Sequence, residues 1–219
     1  MADQIEILFE NENIIAVNKP EGLASITEND TTIESLHSLL EKKYNQKLFI
    51  VHRLDKEVSG AILFAKNPET HKYLNDRFAE RKVKKYYTAI VHGTIKENDG
   101  VIKKPIREFG SGRMGVDDRK GKPSETKFHV VQRFRDYTLL ELNPSTGRRH
   151  QLRVHLYSIG FPIVGDLRYG DKTIQEKYLR IMLHAKSLEF QLPDEKNILI
   201  EAPLPETFIE VLKQISSNN

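Results

Sequence analysis

The chain has 219 residues, no cysteine, and 34 Lys and Arg against 31 Asp and Glu, for a formal net charge of +3. This length suffices for one core that buries roughly 70% of the surface its unfolded form would expose, and we expect a single catalytic domain over residues 1–219. The absence of cysteine excludes disulfides, thiolate metal sites and a cysteine nucleophile. No apolar run approaches the ~18 residues of a membrane helix, and Met1-Ala2-Asp3-Gln4 lacks the basic-then-apolar character of a secretion signal, so a cytoplasmic protein is expected. His150 and His155 are not at the i, i+4 spacing of a zinc helix, and no metal is expected. The small net charge hides an asymmetry. Residues 1–50 hold nine Asp and Glu against four Lys and Arg, whereas residues 81–153 hold eighteen Lys and Arg against eight Asp and Glu. A basic middle is the footprint of a protein that binds a polyanion, or else an ordinary solvated surface.

Taken in order, Ile5 to Glu10 and Asn13 to Asn18 predict a hairpin around Asn11-Glu12, followed by a turn at Lys19-Pro20-Glu21-Gly22. Thr31-Thr32-Ile33-Glu34 carries a capping-box pattern, and Ile33, Leu36, Leu39 and Leu40 recur at helical spacing to about Lys43. Next come the charged corner His52-Arg53-Leu54-Asp55 and, beyond Gly60, an apolar strand from Ala61 to Ala65. Asn67-Pro68-Glu69 caps a second helix with Tyr73, Leu74 and Phe78 on its apolar stripe. A strand enters the core from the basic run Arg81 to Lys85 and ends at Gly93. Val101 to Ile106 reads as a short strand, Glu108 to Pro123 as a Gly- and charge-rich loop, and Thr126 to Phe134 with Tyr137 to Leu142 as an antiparallel pair.

In Thr146-Gly147-Arg148-Arg149-His150-Gln151-Leu152-Arg153, Thr146 is read as the cap of a helix that Gly160 stops. Arg148 and Arg149 would then lie in its first turn, where they oppose the helix dipole but suit an anion. Loop-like residues 161–170, strands Met182 to Leu192 and Asn197 to Glu201, and a terminal helix opened by Pro205-Glu206-Thr207 complete the chain. The fold class predicted is α+β, a mixed and mostly antiparallel central sheet with flanking helices. Asp55 stands out because a carboxylate at the edge of a core strand is costly unless cations or donors compensate it.

These stretches together resemble the RluA-type family of RNA pseudouridine synthases. The resemblance is carried by Asn18-Lys19-Pro20-x-Gly22, the His52-Arg53-Leu54-Asp55 corner followed by Ser59-Gly60, Val83-x-Lys85-x-Tyr87-x-Ala89, Gly147-Arg148-x-His150-Gln151-x-Arg153-x-His155, Gly165-Asp166-x-x-Tyr169-Gly170 and Leu183-His184-Ala185. It implies the pseudouridine synthase catalytic fold and three catalytic residues. Asp55 matches the catalytic aspartate, Tyr87 the tyrosine that stacks on the target uracil, and Arg153 the arginine that pairs with the aspartate. Arg53 matches a residue that fills the space of an extruded base. With His52, Lys84, Lys85, Arg148, Arg149 and His150 it forms the expected RNA-contacting set. The sequence departs from the family pattern at Arg149, where a small hydroxyl residue is frequent, and at Glu57-Val58, where Asp-Thr is commoner. Many relatives carry an S4 RNA-binding domain upstream; with the first core strand starting within ten residues, none is expected here.

The reaction so implied breaks N1–C1′ and forms C5–C1′ within one uridine. It needs no net redox change, and no cofactor is expected; one carboxylate acting as nucleophile or base suffices in kind. The expected partner is structured RNA, an rRNA or tRNA stem-loop, bound by a monomer. Two other readings keep the same basic face, a catalytically silent RNA-binding module and a structural assembly factor. The joint presence of Asp55, Tyr87 and Arg153 favours the enzyme. The protein kinase catalytic loop also contains His-Arg followed by Asp, but there Asp directly follows Arg, and this chain has no Asp-Phe-Gly.

Overall fold

The computed structural model describes residues 5–27, 34–193 and 196–217. In chain order the first elements are β1 (Glu6–Glu10), β2 (Ile14–Lys19), α1 (Leu36–Tyr44), β3 (Phe49–Ile50), β4 (Ser59–Ala65) and α2 (Pro68–Ala79). There follow β5 (Lys84–His92), β6 (Asp99–Lys103), β7 (Ile106–Glu108), β8 (Met114–Val116), β9 (Glu125–Arg133) and β10 (Tyr137–Pro144). The last are α3 (Gln151–Ser158), α4 (Lys172–Gln175), β11 (Leu183–Gln191), β12 (Asn197–Glu201) and α5 (Glu206–Ser217). The class is α+β with mixed, mostly antiparallel strands and flanking helices. The chain forms two compact units, Met1–Lys85 with Ala185–Leu204 and Tyr86–His184 with Pro205–Asn219. Two of the three boundaries, 85/86 and 184/185, fall inside strands, β5 and β11, and the third lies at Leu204-Pro205 between β12 and α5.

In the first unit β1 pairs with β2, and β2 with β4 in the register Ile14↔Ala65 to Lys19↔Gly60. The hairpin turns because Asn11 Oδ1 accepts from the amides of Asn13 and Ile14 at 2.9 and 2.8 Å, a side chain imitating a backbone turn. All seven residues of β4 are buried, which explains why its sequence is continuously apolar from Gly60 onward where an exposed strand would alternate. Gly60 has φ +116, and a Cβ there would lie 2.2 Å from the Ala185 carbonyl oxygen, so no other residue fits. Leu63, Ala65, Leu74 and Val83 join Leu188, Phe190 and Ile200 in the core of this unit. Asn67 caps α2 with Pro68 in its first turn, as the sequence predicts. The cap of α1 differs from expectation. Residues 31–33 lie outside those described, and the helix starts at Leu36 with Ser35 and Ser38 forming the reciprocal cap.

The second unit has the strand order β5-β10-β9-β6, with Tyr137↔His92 to Leu142↔Tyr87 aligning β10 on β5. Three expectations are corrected here. The predicted strand 101–106 is two strands, β6 and β7, separated by Lys104-Pro105, since proline supplies no donor to a ladder. The predicted loop 108–123 contains a hairpin in which β7 pairs with β8 from Ile106↔Val116 to Glu108↔Met114. The Arg107 guanidinium lies 4.3 Å from the centroid of Phe109 and 2.6 Å from Asp117 Oδ2, closing this segment on itself. Helix α3 begins at Gln151, five residues after the expected cap, with His150 at the N-cap in left-handed conformation (φ +54). Thr146 spends its hydroxyl on the Gln151 side chain, 2.7 Å away, and caps no helix. Arg148 and Arg149 therefore precede the helix and do not lie in its first turn.

Candidate active site

In the first unit the corner 52–55 is an irregular segment ahead of β4, and the residues around it clamp it through backbone groups. Ser25 Oγ donates to the Leu54 carbonyl at 2.8 Å and accepts from the Leu54 amide at 3.1 Å, both bonds buried. Lys19 is fully buried, and its ammonium donates to the carbonyls of Pro20, Leu23 and Lys56 at 2.9, 2.7 and 3.1 Å. The Gly22 amide donates to the same Lys56 carbonyl at 2.9 Å, with Gly22 at φ +80. The Asp55 carbonyl accepts from the Val58 amide at 3.1 Å, closing the turn beneath the carboxylate. An unpaired buried ammonium would be prohibitive, so Lys19 holds together whatever supplies its acceptors, here the 20–23 turn and the Asp55-Lys56 turn. Asp55 is half-buried and Arg53 beside it is exposed.

His52 was expected to contact RNA, but the structure gives it an inward task. Its Nε2 accepts from the Leu63 amide at 3.0 Å, and its ring stacks on Phe78 with centroids 5.0 Å apart. Nε2 is therefore unprotonated and the ring neutral, with its proton on Nδ1. Burial, aided by the charge of Lys85, pushes the His52 pKa down from 6.5 to about 3. Between these values the unfolded chain takes up a proton that the folded chain refuses. His52 therefore supports full stability above pH 6.5, and this is lost as pH falls toward 3. We expect about 2 kcal/mol of stability to disappear between pH 7 and pH 5 through this residue. Urea denaturation at both pH values should show that loss shrinking by about this amount in His52→Gln. An equal loss in the variant would mean that His52 is protonated in the folded state.

The strand lysines differ from each other. Lys84 is exposed and ion-paired with Glu189 at 2.8 Å, whereas Lys85 is half-buried and its pKa is lowered by desolvation.

Tyr87 and Arg153 stand in the second unit, as do Arg148, Arg149 and His150. Tyr87 is half-buried on β5, opposite Leu142. Arg153 is 4% exposed on α3 and forms a fork with Asp166, whose side chain is 0% exposed. Nε donates to Oδ2 and Nη2 to Oδ1, each at 2.8 Å. Nothing in the spacing of residues 153 and 166 announces this pairing. Oδ1 of Asp166 also accepts from the amides of Arg168 and Tyr169 at 3.0 and 3.2 Å. Tyr169, 1% exposed, accepts from the Met114 amide at 3.2 Å and shares a hydrogen bond with His150 Nδ1 at 2.8 Å. Burial raises the pKa of its phenol.

The loop ahead of α3 is organised by Gln151. Its Oε1 accepts from Thr146 Oγ1 at 2.7 Å and from the Arg148 amide at 3.0 Å, while its Nε2 donates to the Glu125 carbonyl at 2.9 Å and Thr126 Oγ1 at 3.1 Å. His155 is buried one turn further on. Its Nε2–H donates to the Lys104 carbonyl and its Nδ1 accepts from Thr126 Oγ1, both at 2.9 Å. The arginines are left on the surface, Arg148 exposed and Arg149 3.1 Å from Glu108. Of the expected set, Arg53, Arg148 and Arg149 are exposed, and the His52 side chain is turned inward onto Leu63 and Phe78.

A model of the RNA pseudouridylate synthase family matches residues 13–158. An uncharacterized RNA pseudouridine synthase of Zymomonas mobilis is 37% identical over 211 residues, covering 94% of this chain and 96% of its own. The ribosomal large subunit pseudouridine synthase C of Buchnera aphidicola (subsp. Baizongia pistaciae) is 38% identical over 222 residues, covering 95% of this chain and 70% of its own. Among solved structures, human RNA pseudouridylate synthase domain containing 1 superposes with a TM-score of 0.80 at 26% identity, covering 99% of this chain and 96% of its own.

Proposed function

The chain belongs to the RNA pseudouridylate synthase family, and from that premise we propose that it isomerises a uridine of large-subunit ribosomal RNA with Asp55 as the catalytic carboxylate. The choice of RNA is supported by relatives named ribosomal large subunit pseudouridine synthase C, at 33–38% identity. The site of action is then the cytoplasm. The observation that carries the assignment of Asp55 is the clamp beneath it. A buried ammonium and a buried serine hold the backbone on both sides of this residue, so its carboxylate is presented by a rigid turn. Preorganisation of this kind is what a reacting group needs and a surface turn does not.

The target uridine leaves its stack so that its glycosidic bond can be reached, which costs a few kcal/mol. Arg53, exposed beside Asp55, is suited to fill the vacated space, and Tyr87 to stack on the uracil. Arg153 is assigned as the cation that favours the ionised carboxylate. The carboxylate then attacks the sugar or the uracil, or abstracts a proton from the sugar. Each of these routes breaks N1–C1′, lets the base rotate and joins C5 to C1′; the carboxylate is released or returns its proton, C5 loses its proton and N1 gains one, so the isomerisation balances without an external reagent.

The test is to incubate the purified protein with unmodified transcripts of large-subunit rRNA, small-subunit rRNA and tRNA, and to map pseudouridine chemically. Product at defined positions of the large-subunit transcript is expected. Product in tRNA alone would overturn the choice of RNA, and product in none would overturn the activity.

Affinity should fall steeply with salt, since phosphate contacts release counterions. Each lost phosphate contact flattens the slope of log affinity against log salt by about 0.7–0.9. Arg148→Ala should remove one such increment. Arg149→Ala should remove less, because Glu108 already neutralises part of its charge. Filter binding across a salt series reads both slopes, and unchanged slopes would place the RNA on another face.

A further inference from the structure

In the second unit the strands end on β6, which pairs with β9 from Asp99↔His129 to Lys103↔Glu125. Among the described residues no strand pairs with the other edge of β6. Opposite residues of an antiparallel ladder alternate between exchanging both backbone bonds and exchanging neither. The Val130 amide donates to the Asn98 carbonyl at 2.7 Å, which continues the register of β6 on β9 and sets its phase. Gly100 and Ile102 therefore spend their backbone groups on β9, whereas Asp99, Val101 and Lys103 turn theirs to the open edge.

The side chains alternate in the same way. Asp99, Val101 and Lys103 are each more than half exposed. The residues between them face inward: Ile102 is buried, and a Cβ on Gly100 would lie 2.3 Å from the ring of Phe128. Each outward charge already has a neighbour on β9, since His129 Nδ1 lies 2.8 Å from Asp99 Oδ1 and Lys103 Nζ lies 3.3 Å from Glu125 Oε2. An open edge invites pairing, and proteins blunt such edges with lysine and proline. Lys103, Lys104 and Pro105 blunt this one against most strands. Against a second copy of β6 the charges become complementary.

Two β6 strands laid antiparallel about a two-fold axis at Val101 place Asp99 of each copy opposite Lys103 of the other, and Val101 opposite Val101. All of these residues direct their N–H and C=O groups to the open edge, so every such pair exchanges both backbone bonds. Across the joint each row of side chains then runs His129, Asp99, Lys103 of the second copy and Glu125 of the second copy, with no like charges adjacent. Pro105 has no N–H to extend the ladder, which stops at the five residues of β6. We propose that the open edge of β6 is a self-association surface, on which two copies of this chain join through an antiparallel β6–β6 ladder. The result is a dimer in place of the monomer expected from the sequence, and it does not depend on the assigned activity. So short a ladder buries less than the ~1,200 Å² of a standard interface, and monomer and dimer should exchange at micromolar concentrations.

Sedimentation equilibrium of the whole chain, free of RNA, from about 1 to about 500 µM should show a monomer–dimer equilibrium. Asp99→Lys lines the edge with two lysines and Lys103→Asp lines it with two aspartates, so either variant alone should have its dissociation constant raised at least about tenfold. An equimolar mixture of the two variants sets lysines opposite aspartates at both positions, and its dissociation constant should return to within about threefold of wild type. Damage to β6 would not be repaired by mixing. Val101→Pro deletes an outward N–H and no bond to β9, and should leave a monomer that melts close to the parent. The proposal is overturned by a wild-type chain that stays monomeric at the highest concentration, by single variants that associate as the wild type does, or by a mixture no tighter than its components. If either charge variant does not fold, Val101→Pro decides, and wild-type association in that variant overturns the proposal.

Discussion

Asp55→Asn is expected to lower the rate of pseudouridine formation at least about 1,000-fold, roughly 4 kcal/mol of lost transition-state stabilisation. It should leave the melting temperature and the RNA affinity close to those of the parent. The first half follows from chemistry, since an amide is neither a nucleophile nor a base at neutral pH. The second half follows from how the corner is built. Ser25 holds the backbone of Leu54, Lys19 and Gly22 hold the carbonyl of Lys56, and the turn itself closes through the Asp55 carbonyl. Those bonds run through main-chain atoms that Asn retains. Single-turnover conversion of a saturating RNA, followed to completion, makes the measurement. Retention of even a tenth of the wild-type rate would sink the assignment of Asp55 as the catalytic carboxylate.

How much of this was legible from the chain alone depended on the range over which each feature is specified. The cap of α2 is local, since Asn67 and Pro68 act on the turn that follows them, and it is found where the sequence predicts it. The buried β4 is also visible, because an uninterrupted apolar run between charged corners has few alternatives. The start of α3 was misplaced because Thr146 has the right chemistry for a cap but a nearer competitor, the side chain of Gln151, takes its hydroxyl. The β7–β8 hairpin is not visible in the sequence because three-residue strands carry no periodicity, and its glycines and charges read as a loop. At the site, charge and motif single out Arg153, but nothing in the spacing of residues 153 and 166 announces a buried fork. That pair exists only once Gly165 has allowed the backbone to approach Arg180. The inward turn of His52 likewise depends on Leu63 and Phe78, which the fold brings to it.

The fork also changes what a substitution at Arg153 should do. Arg153→Met would strand the Asp166 carboxylate, 0% exposed, without its guanidinium, and breaking a buried pair from one side costs about 3–5 kcal/mol. We therefore expect urea denaturation to show a loss of this size, so that inactivity of the single variant would say little about catalysis. Adding Asp166→Asn removes the stranded charge while keeping an acceptor for the amides of Arg168 and Tyr169. The double variant should regain more than half of the lost stability and remain at least about 100-fold slower than wild type, about 2.7 kcal/mol in activation free energy. This separates two roles that the single substitution confounds. Arg153 as the counter-ion of Asp166 is dispensable once the aspartate is neutral. Arg153 as a donor in the reaction is not. If Arg153→Met is within 1 kcal/mol of wild-type stability, the fork does not carry a buried charge pair. If the double variant is both stable and active, Arg153 serves Asp166 alone, and another group must favour the ionised form of Asp55.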